Sequence, residues 1–200
     1  MTRFVVKDTF FKKAKDEGYR ARSAYKLKEI QQRFRIVKKG DVVLDLGCTP
    51  GSFLQVLSQL VGEKGMVVGV DIIPVTPLPY KNVITYTYDI RSLPINTLLS
   101  ELSLDSFDTI TCDISPNLSG IKDVDESNME ELFLAVKKIT QQSLKSGGNL
   151  IVKSFFSEHL KERIMELKKF FKRVTLFKPS ASRSRSAEIY FVCIEKVQDS

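Results

Sequence analysis

Residues 44–53 read LDLGCTPGSF. The apolar run leading into them, DVVLDL at 41–46, reads as a buried strand, and a helical pattern at 52–61 follows directly. Strand, glycine turn and helix in that order open a βαβ unit. In an open α/β sheet, ligands bind where such strands end. Gly47 and Gly51 would let backbone approach a ligand closely, and Pro50 stiffens the turn. The two glycines are four apart, so the loop lacks the G-x-G-x-x-G spacing of a dinucleotide fingerprint.

Outward from this loop, four more apolar runs read as strands: GMVVGVDI (65–72), VITYTYDI (83–90), FDTITCDI (107–114) and GNLIVKSF (148–155). Met129, Leu132, Phe133, Val136 and Ile139 recur at helical spacing and predict a helix up to a stop at Gly147–Gly148. SEHLKERIMELKKFF (157–171) predicts another, with Ser157 as its N-cap. The last two strands, RVTLF (173–177) and EIYFVCI (188–194), have no helix between them and predict an antiparallel hairpin. The expected fold is α/β: a Rossmann-like seven-stranded sheet, mostly parallel with an antiparallel last strand and helices on both faces. Residues 8–17 and 22–33 read as helices broken at Gly18, with Ala24, Leu27, Ile30 and Phe34 as an apolar stripe. Residues 1–40 are expected to form a basic helical extension packed on one globular unit, 41–200.

Charge is distributed unevenly. Residues 1–40 carry 13 Lys/Arg against 4 Asp/Glu, residues 41–150 carry 7 against 14, and residues 151–185 carry 10 against 3. A basic head and tail around an acidic middle fit a polyanion gripped at both ends, or merely lysine-rich solvated helix faces. Cys48, Cys112 and Cys193 form no C-x-x-C pair, so neither a zinc site nor a disulfide framework is expected, and no metal is needed. No apolar run approaches the roughly 18 residues of a membrane span, and the first 15 residues contain no apolar signal-peptide core. The expectation is an intracellular protein with no membrane partner, a monomer, in cytoplasm or mitochondrion.

Each early strand ends in an acid: Asp45, Asp71, Asp89 and Asp113. An aspartate at a strand end also starts turns, but four in register would face one crevice. Carboxylates there suit ribose hydroxyls, an adenine amino group or an ammonium, and repel a pyrophosphate. The loop is therefore expected to hold a nucleoside without a phosphate chain, of which S-adenosylmethionine is the common example. Lys153 ends the apolar run LIVKSFF. A lysine in a buried strand either snorkels to the surface or is functional. Desolvation and a neighbouring cation lower an amine pKa and fit it for general-base work. Asp113 precedes Ser115-Pro116-Asn117, where the proline fixes a tight loop. Glu188 opens the last strand, and Lys26 lies on the basic helix in RSAYKLKEI; singly, each reads as a surface charge. His159 reads as a surface residue.

GYRARSAYKLKEI, LDLGCTPGSF, VVGVDIIP, YDIRS, CDISPNLSG, LIVKSFF and SRSRSAEIYFV occur in that order. Together they resemble the FtsJ-like heat-shock family of RNA ribose 2′-O-methyltransferases, over about residues 7–195. The resemblance implies a catalytic set of Lys26, Asp113, Lys153 and Glu188, with Lys153 as general base and the other three supporting it. It implies an S-adenosylmethionine site lined by Gly51, Phe53, Asp71, Asp89 and Asp113; Asp45, Gly47, Pro50 and Ser52 of the same loop complete the expected set. Where the family usually has Ala-Ala-Pro-Gly-Gly-Trp, this chain has Cys48-Thr49-Pro50-Gly51-Ser52-Phe53. Phe53 can replace the tryptophan as an apolar contact but lacks its indole donor.

The resemblance implies methylation of a ribose 2′-hydroxyl in RNA. Asn117 and the Asn-Leu-Ser-Gly run are more similar to the members acting on large-subunit ribosomal RNA, where the expected target is a uridine. The Lys-Asp-Val-Asp-Glu run at 122–126 is similar to members acting on transfer RNA anticodon loops. The chain is also similar to the mitochondrial members, including in the AKDEGYRARSAYKL opening. A non-catalytic RNA-binding assembly factor of the same fold is a different-class reading, which the complete catalytic set opposes, and a nicotinamide dehydrogenase is a third, which the missing G-x-G-x-x-G and the acidic crevice oppose. The basic head and KPSASRSR (178–185) would grip phosphates. Phe10, Phe11, Tyr19 and Tyr25 either stack bases or pack a core.

Overall fold

The computed structural model describes residues 9–115, 119–157, 159–183 and 186–198. Expectations for residues 1–8, for Pro116 and Asn117, for Glu158 and for Ser184 and Arg185 lie outside these. Among the described residues seven strands form one sheet: β1 Val42–Leu46, β2 Met66–Asp71, β3 Val83–Thr87, β4 Phe107–Cys112, β5 Leu144–Phe155, β6 Phe171–Phe177 and β7 Glu188–Lys196. Their order is β3-β2-β1-β4-β5-β7-β6. Pairs among β1 to β5 are parallel, while β7 runs antiparallel to both β5 and β6. The reversed last strand inserts between β5 and β6, and its antiparallel pairing with β6 is what a connection without a crossover helix requires.

Among the described residues there are six α-helices, α1 Thr9–Asp16, α2 Ser23–Phe34, α3 Ser52–Val61, α4 Ile95–Glu101, α5 Lys122–Ser143 and α6 Leu160–Leu167; α1 packs on α2, and the others cover the sheet. β1 and β4 are buried nearly throughout because helices cover both faces, which is why they read as continuous apolar runs. Alternate strand residues divide between two cores. On one face Ala24, Leu27 and Ile30 of α2 and Leu54 and Leu57 of α3 meet Val43, Ile151, Tyr190 and Val192. On the other, α4, α5 and α6 meet Leu44, Ile110, Leu150 and Phe191.

Some element boundaries depart from expectation, for local reasons. α5 starts at Lys122, well before its apolar stripe, because Asp125 accepts hydrogen bonds from Ser119 N (2.6 Å) and Oγ (2.8 Å) and from Gly120 N (3.2 Å). Gly147–Gly148 does not stop that helix. It ends at Ser143, Leu144 turns extended and pairs with Phe107, and the glycines lie in an irregular stretch of β5 before the register resumes at Asn149. Gly148 is pressed there against the Leu144 side chain and the Asp108 carbonyl, leaving no room for a Cβ. β3 ends at Thr87 because Asp89 caps a 3₁₀ turn, Ile90–Ser92, by accepting from Arg91 N at 2.9 Å. α6 begins at Leu160 with His159, not Ser157, at its N-cap position.

Candidate active site

Parallel β1, β2, β4 and β5 bring their C-terminal ends to one edge of the fold. β7 runs the other way, so its first residue, Glu188, lies opposite Phe155 at the end of β5, and Tyr190 lies opposite Lys153. Lys153, Tyr190 and Glu188 therefore project on the same face, the one covered by α2. The packing of Ala24, Leu27 and Ile30 carries Lys26 to the same place.

There Lys26 Nζ meets Glu188 Oε2 at 2.7 Å, with both side chains only 10% exposed. Ser182 Oγ donates to the other carboxylate oxygen of Glu188 at 2.7 Å. Burial raises the Glu188 pKa, but the hydrogen bonds from Lys26 and Ser182 and the charges of Lys26 and Lys153 outweigh it, so the carboxyl stays below its usual range. Lys153 Nζ donates to the Asp113 carbonyl at 2.7 Å and lies 3.2 Å from its Oδ1. The Lys153 side chain is 5% exposed and does not snorkel to the surface. Tyr190 donates its hydroxyl to that same Oδ1 at 2.5 Å, and the Lys26 ammonium lies 5.9 Å from the centre of its ring. Burial, then the Asp113 and Glu188 charges, push the Tyr190 phenol far above its ordinary pKa, so it remains a donor. The structure thus brings Lys26, Asp113, Lys153 and Glu188 together around Tyr190.

Tyr190 was not singled out from the sequence. It stands two residues after Glu188 on a strand, and that period of two was the available signal. Ser182 gave none, because it reaches Glu188 through a loop. Glu29 of α2 anchors that loop by accepting from Ser180 N (2.6 Å), Ser180 Oγ (2.8 Å) and Ala181 N (2.9 Å).

The glycine loop crosses the same edge, with a cis bond between Thr49 and Pro50. Gly47 has φ 73°, and a Cβ there would collide with Ile114. Gly51 has φ 107°, with Arg20 and Leu78 against it. The space beside each glycine is thus occupied by protein side chains. Ser52 and Phe53 are buried in the packing of α3, and Ser52 Oγ lies 2.6 Å from Ser23 Oγ of α2. Asp71 accepts from Thr49 N at 2.8 Å and Ile73 N at 2.9 Å. Asp89 pairs with Arg91 at 2.6 Å; hydrogen bonds from Arg91 hold its pKa low. Asp45 is 1% exposed and accepts from Thr111 Oγ1 at 2.6 Å. Burial, with lesser help from the Asp113 and Asp71 charges, pushes its pKa up to about 8. Its Oδ2 is buried with no hydrogen-bond partner among the described residues. Asp45, mostly protonated at neutral pH and with one oxygen unpartnered, stands with Asp71, Asp89 and Asp113 on a polar, acid-rich edge that fits the hydroxyl and amine groups of a ligand.

Tyr25 is 5% exposed, the rings of Phe10 and Tyr19 pack on it, and Lys13 and Lys28 sit over its ring. These three rings pack a small core, whereas Phe11 is exposed. Cys48, Cys112 and Cys193 are free and buried. Among the described residues no His, Cys, Asp and Glu group could hold a metal ion, and no helix is long and apolar enough to cross a membrane.

Comparison with known proteins bears on this site. A curated relative from Methanococcus maripaludis, named ribosomal RNA large subunit methyltransferase E, is 39% identical over 185 residues, 92% of this chain and 72% of its own length. One of the same name from Myxococcus xanthus is 38% identical over 190 residues, 95% and 89% of the two chains. A Plasmodium falciparum crystal structure described as a ribosomal RNA methyltransferase superposes with a TM-score of 0.79 at 30% identity, covering 90% of this chain and all of that one. The family model for FtsJ-like methyltransferases matches residues 19–196, which takes in every residue of the Lys-Asp-Lys-Glu cluster. This protein belongs to the FtsJ-like methyltransferase family.

Proposed function

We propose that this protein transfers a methyl group from S-adenosylmethionine to a ribose 2′-hydroxyl of RNA, with a uridine of large-subunit ribosomal RNA as the target. The observation that carries the reading is the convergence of Lys26, Asp113, Lys153 and Glu188 in two ion pairs, Lys26–Glu188 and Lys153–Asp113, where α2 covers the strand ends. The names of the relatives support ribosomal RNA as the substrate.

S-adenosylmethionine, when bound, supplies an electrophilic methyl group on a sulfonium. The glycine loop with Asp45, Asp71 and Asp89 would hold it. The protein's own part is to position and activate the hydroxyl. As general base, Lys153 would take the 2′-hydroxyl proton, and the hydrogen bond that its Nζ donates to the Asp113 carbonyl orients the amine for that step. Tyr190 and Lys153 both bind Asp113 Oδ1, which fixes the position of the Lys153 Nζ. Glu188 holds the Lys26 ammonium beside the site, where a cation attracts the ribose-phosphate backbone. Lys178 and Arg183, flanking the loop that Glu29 anchors, extend the cationic edge toward RNA.

The test is radiolabelled methyl transfer to large ribosomal subunits and to transfer RNA, followed by mapping of the labelled nucleotide, with Lys153→Ala alongside. The expected result is a 2′-O-methyluridine in the ribosomal RNA and a loss of about 10²–10⁴-fold in the variant. Label in the transfer RNA anticodon loop would replace the substrate. RNA binding without transfer would make the protein an assembly factor. Near-normal turnover in Lys153→Ala would remove Lys153 as the base.

A further inference from the structure

We propose that Arg20 is a positioning residue for the cofactor: its guanidinium clamps the glycine loop against the segment after β2 and thereby sets cofactor affinity. The inference rests on the S-adenosylmethionine reading above. Arg20 lies in the turn between α1 and α2, outside the strand-end acids and the buried cluster. Its Nη1 donates to the Pro50 carbonyl at 2.9 Å and to the Thr76 carbonyl at 2.6 Å, and its Nη2 donates to the Pro77 carbonyl at 2.8 Å. One planar fork thus joins two chain segments that share no strand pairing. Its own backbone is fixed to α3: Arg20 N donates to Gln55 Oε1 at 2.8 Å, and Gln55 Nε2 donates back to the Gly18 carbonyl at 2.9 Å. α3 is the helix that the glycine loop opens, so the root and the tip of Arg20 both refer to that loop.

Two further observations point the same way. A Cβ at Gly51 would stand 3.1 Å from Arg20 Nη1 and 3.3 Å from Leu78 Cδ1. The glycine at 51 therefore accommodates the guanidinium and the overlying segment. The other end of the segment is tied independently: Thr49 Oγ1 donates to the Ile73 carbonyl at 2.9 Å, and Asp71 joins Thr49 N to Ile73 N. Residues 73–77 are thus pinned over the loop at two points. The Thr49–Asp71 point belongs to the expected cofactor site, and the second is Arg20. All three Arg20 acceptors are backbone carbonyls, and each loses this donor when the guanidinium is removed. Lysine presents a point charge and cannot span both segments with a planar fork.

The experiment is titration calorimetry with S-adenosylhomocysteine on the parent protein, Arg20→Ala and Arg20→Lys, with steady-state methyl transfer alongside. Arg20→Ala is expected to weaken binding by about tenfold or more and to raise KM for the methyl donor equally. At saturating donor, kcat stays within about twofold. Arg20→Lys does not recover the affinity. Guanidinium ion added to Arg20→Ala restores part of it, whereas ammonium at equal ionic strength does not. A parent-like affinity in either variant would overturn the proposal, as would a fall in kcat at unchanged KM, the signature of a merely reduced active fraction. If Arg20→Ala fails to fold, Arg20→Lys decides. Failure of the parent to bind would instead strike the cofactor reading itself.

Discussion

Replacing Glu188 by Gln removes one half of an ion pair whose two side chains are each 10% exposed. The Lys26 ammonium is then left buried without its carboxylate, and breaking a buried pair from one side costs about 3–5 kcal/mol. In a chain of 200 residues each kcal/mol shifts Tm by about 2–4 °C, so Tm should fall by roughly 6–20 °C. Lys26→Met should cost a similar amount by stranding Glu188, which would keep only its bond from Ser182 at 2.7 Å. The double variant Lys26→Met/Glu188→Gln has no buried charge in the pair. It should recover most of the loss, because well-packed neutral residues often replace a buried pair without penalty. The assay is denaturant unfolding of the four proteins in a double-mutant cycle, run with methyl transfer on each. The expected coupling exceeds about 2 kcal/mol, while transfer stays depressed in the double variant as in the singles. Stability and activity would then separate, which is the mark of a pair kept to hold a cation beside the ribose. A coupling below about 0.5 kcal/mol would refute the reasoning, since the two groups would then not sense one another.

The Asp45 carboxyl is raised to about 8 by burial, so the folded state holds a proton that the unfolded chain releases near pH 4. Stability from this group is therefore full below pH 4 and is lost as pH rises toward 8; Asp45→Asn should flatten that slope in Tm measured from pH 5 to 9. Glu188, held below its usual range, has the opposite sign: its contribution is present above about pH 4.5 and lost on acidification, so Glu188→Gln should be nearest the parent in stability at the lowest pH. Tyr190→Phe keeps the ring in the core but removes the 2.5 Å bond to Asp113; a lost bond to a charged acceptor predicts a fall of about 1.5–3 kcal/mol in unfolding free energy, checked by denaturant titration. Ser182→Ala frees one oxygen of Glu188 and should lower kcat severalfold while RNA affinity, read by filter binding, stays close to the parent.

Local sequence carried the strand runs, the glycine turn and the acids that end the strands, because a buried parallel strand and a turn have local signatures. It also carried the antiparallel β6–β7 pairing, because a connection without a helix cannot cross over between parallel strands. It misplaced the end of α5, since Gly147–Gly148 breaks a helix and relieves a strand irregularity with the same residues. It read the glycines of the loop as room for a ligand; the fold adds that Ile114, Arg20 and Leu78 stand where their side chains would be.

By itself, then, the sequence determined the sheet, its reversed strand and the identities of four charged residues in recognisable motifs. Which of those charges meet was decided only in three dimensions. Lys26 and Glu188 are 162 positions apart and pair at 2.7 Å because β7 runs backward beside β5 and α2 lies across that face. Tyr190 joins Asp113, and Arg20 joins the glycine loop, through distances no local pattern encodes. Hydrogen bonds between groups far apart in the chain depend on how whole elements pack, and that packing is a property of the assembled cores.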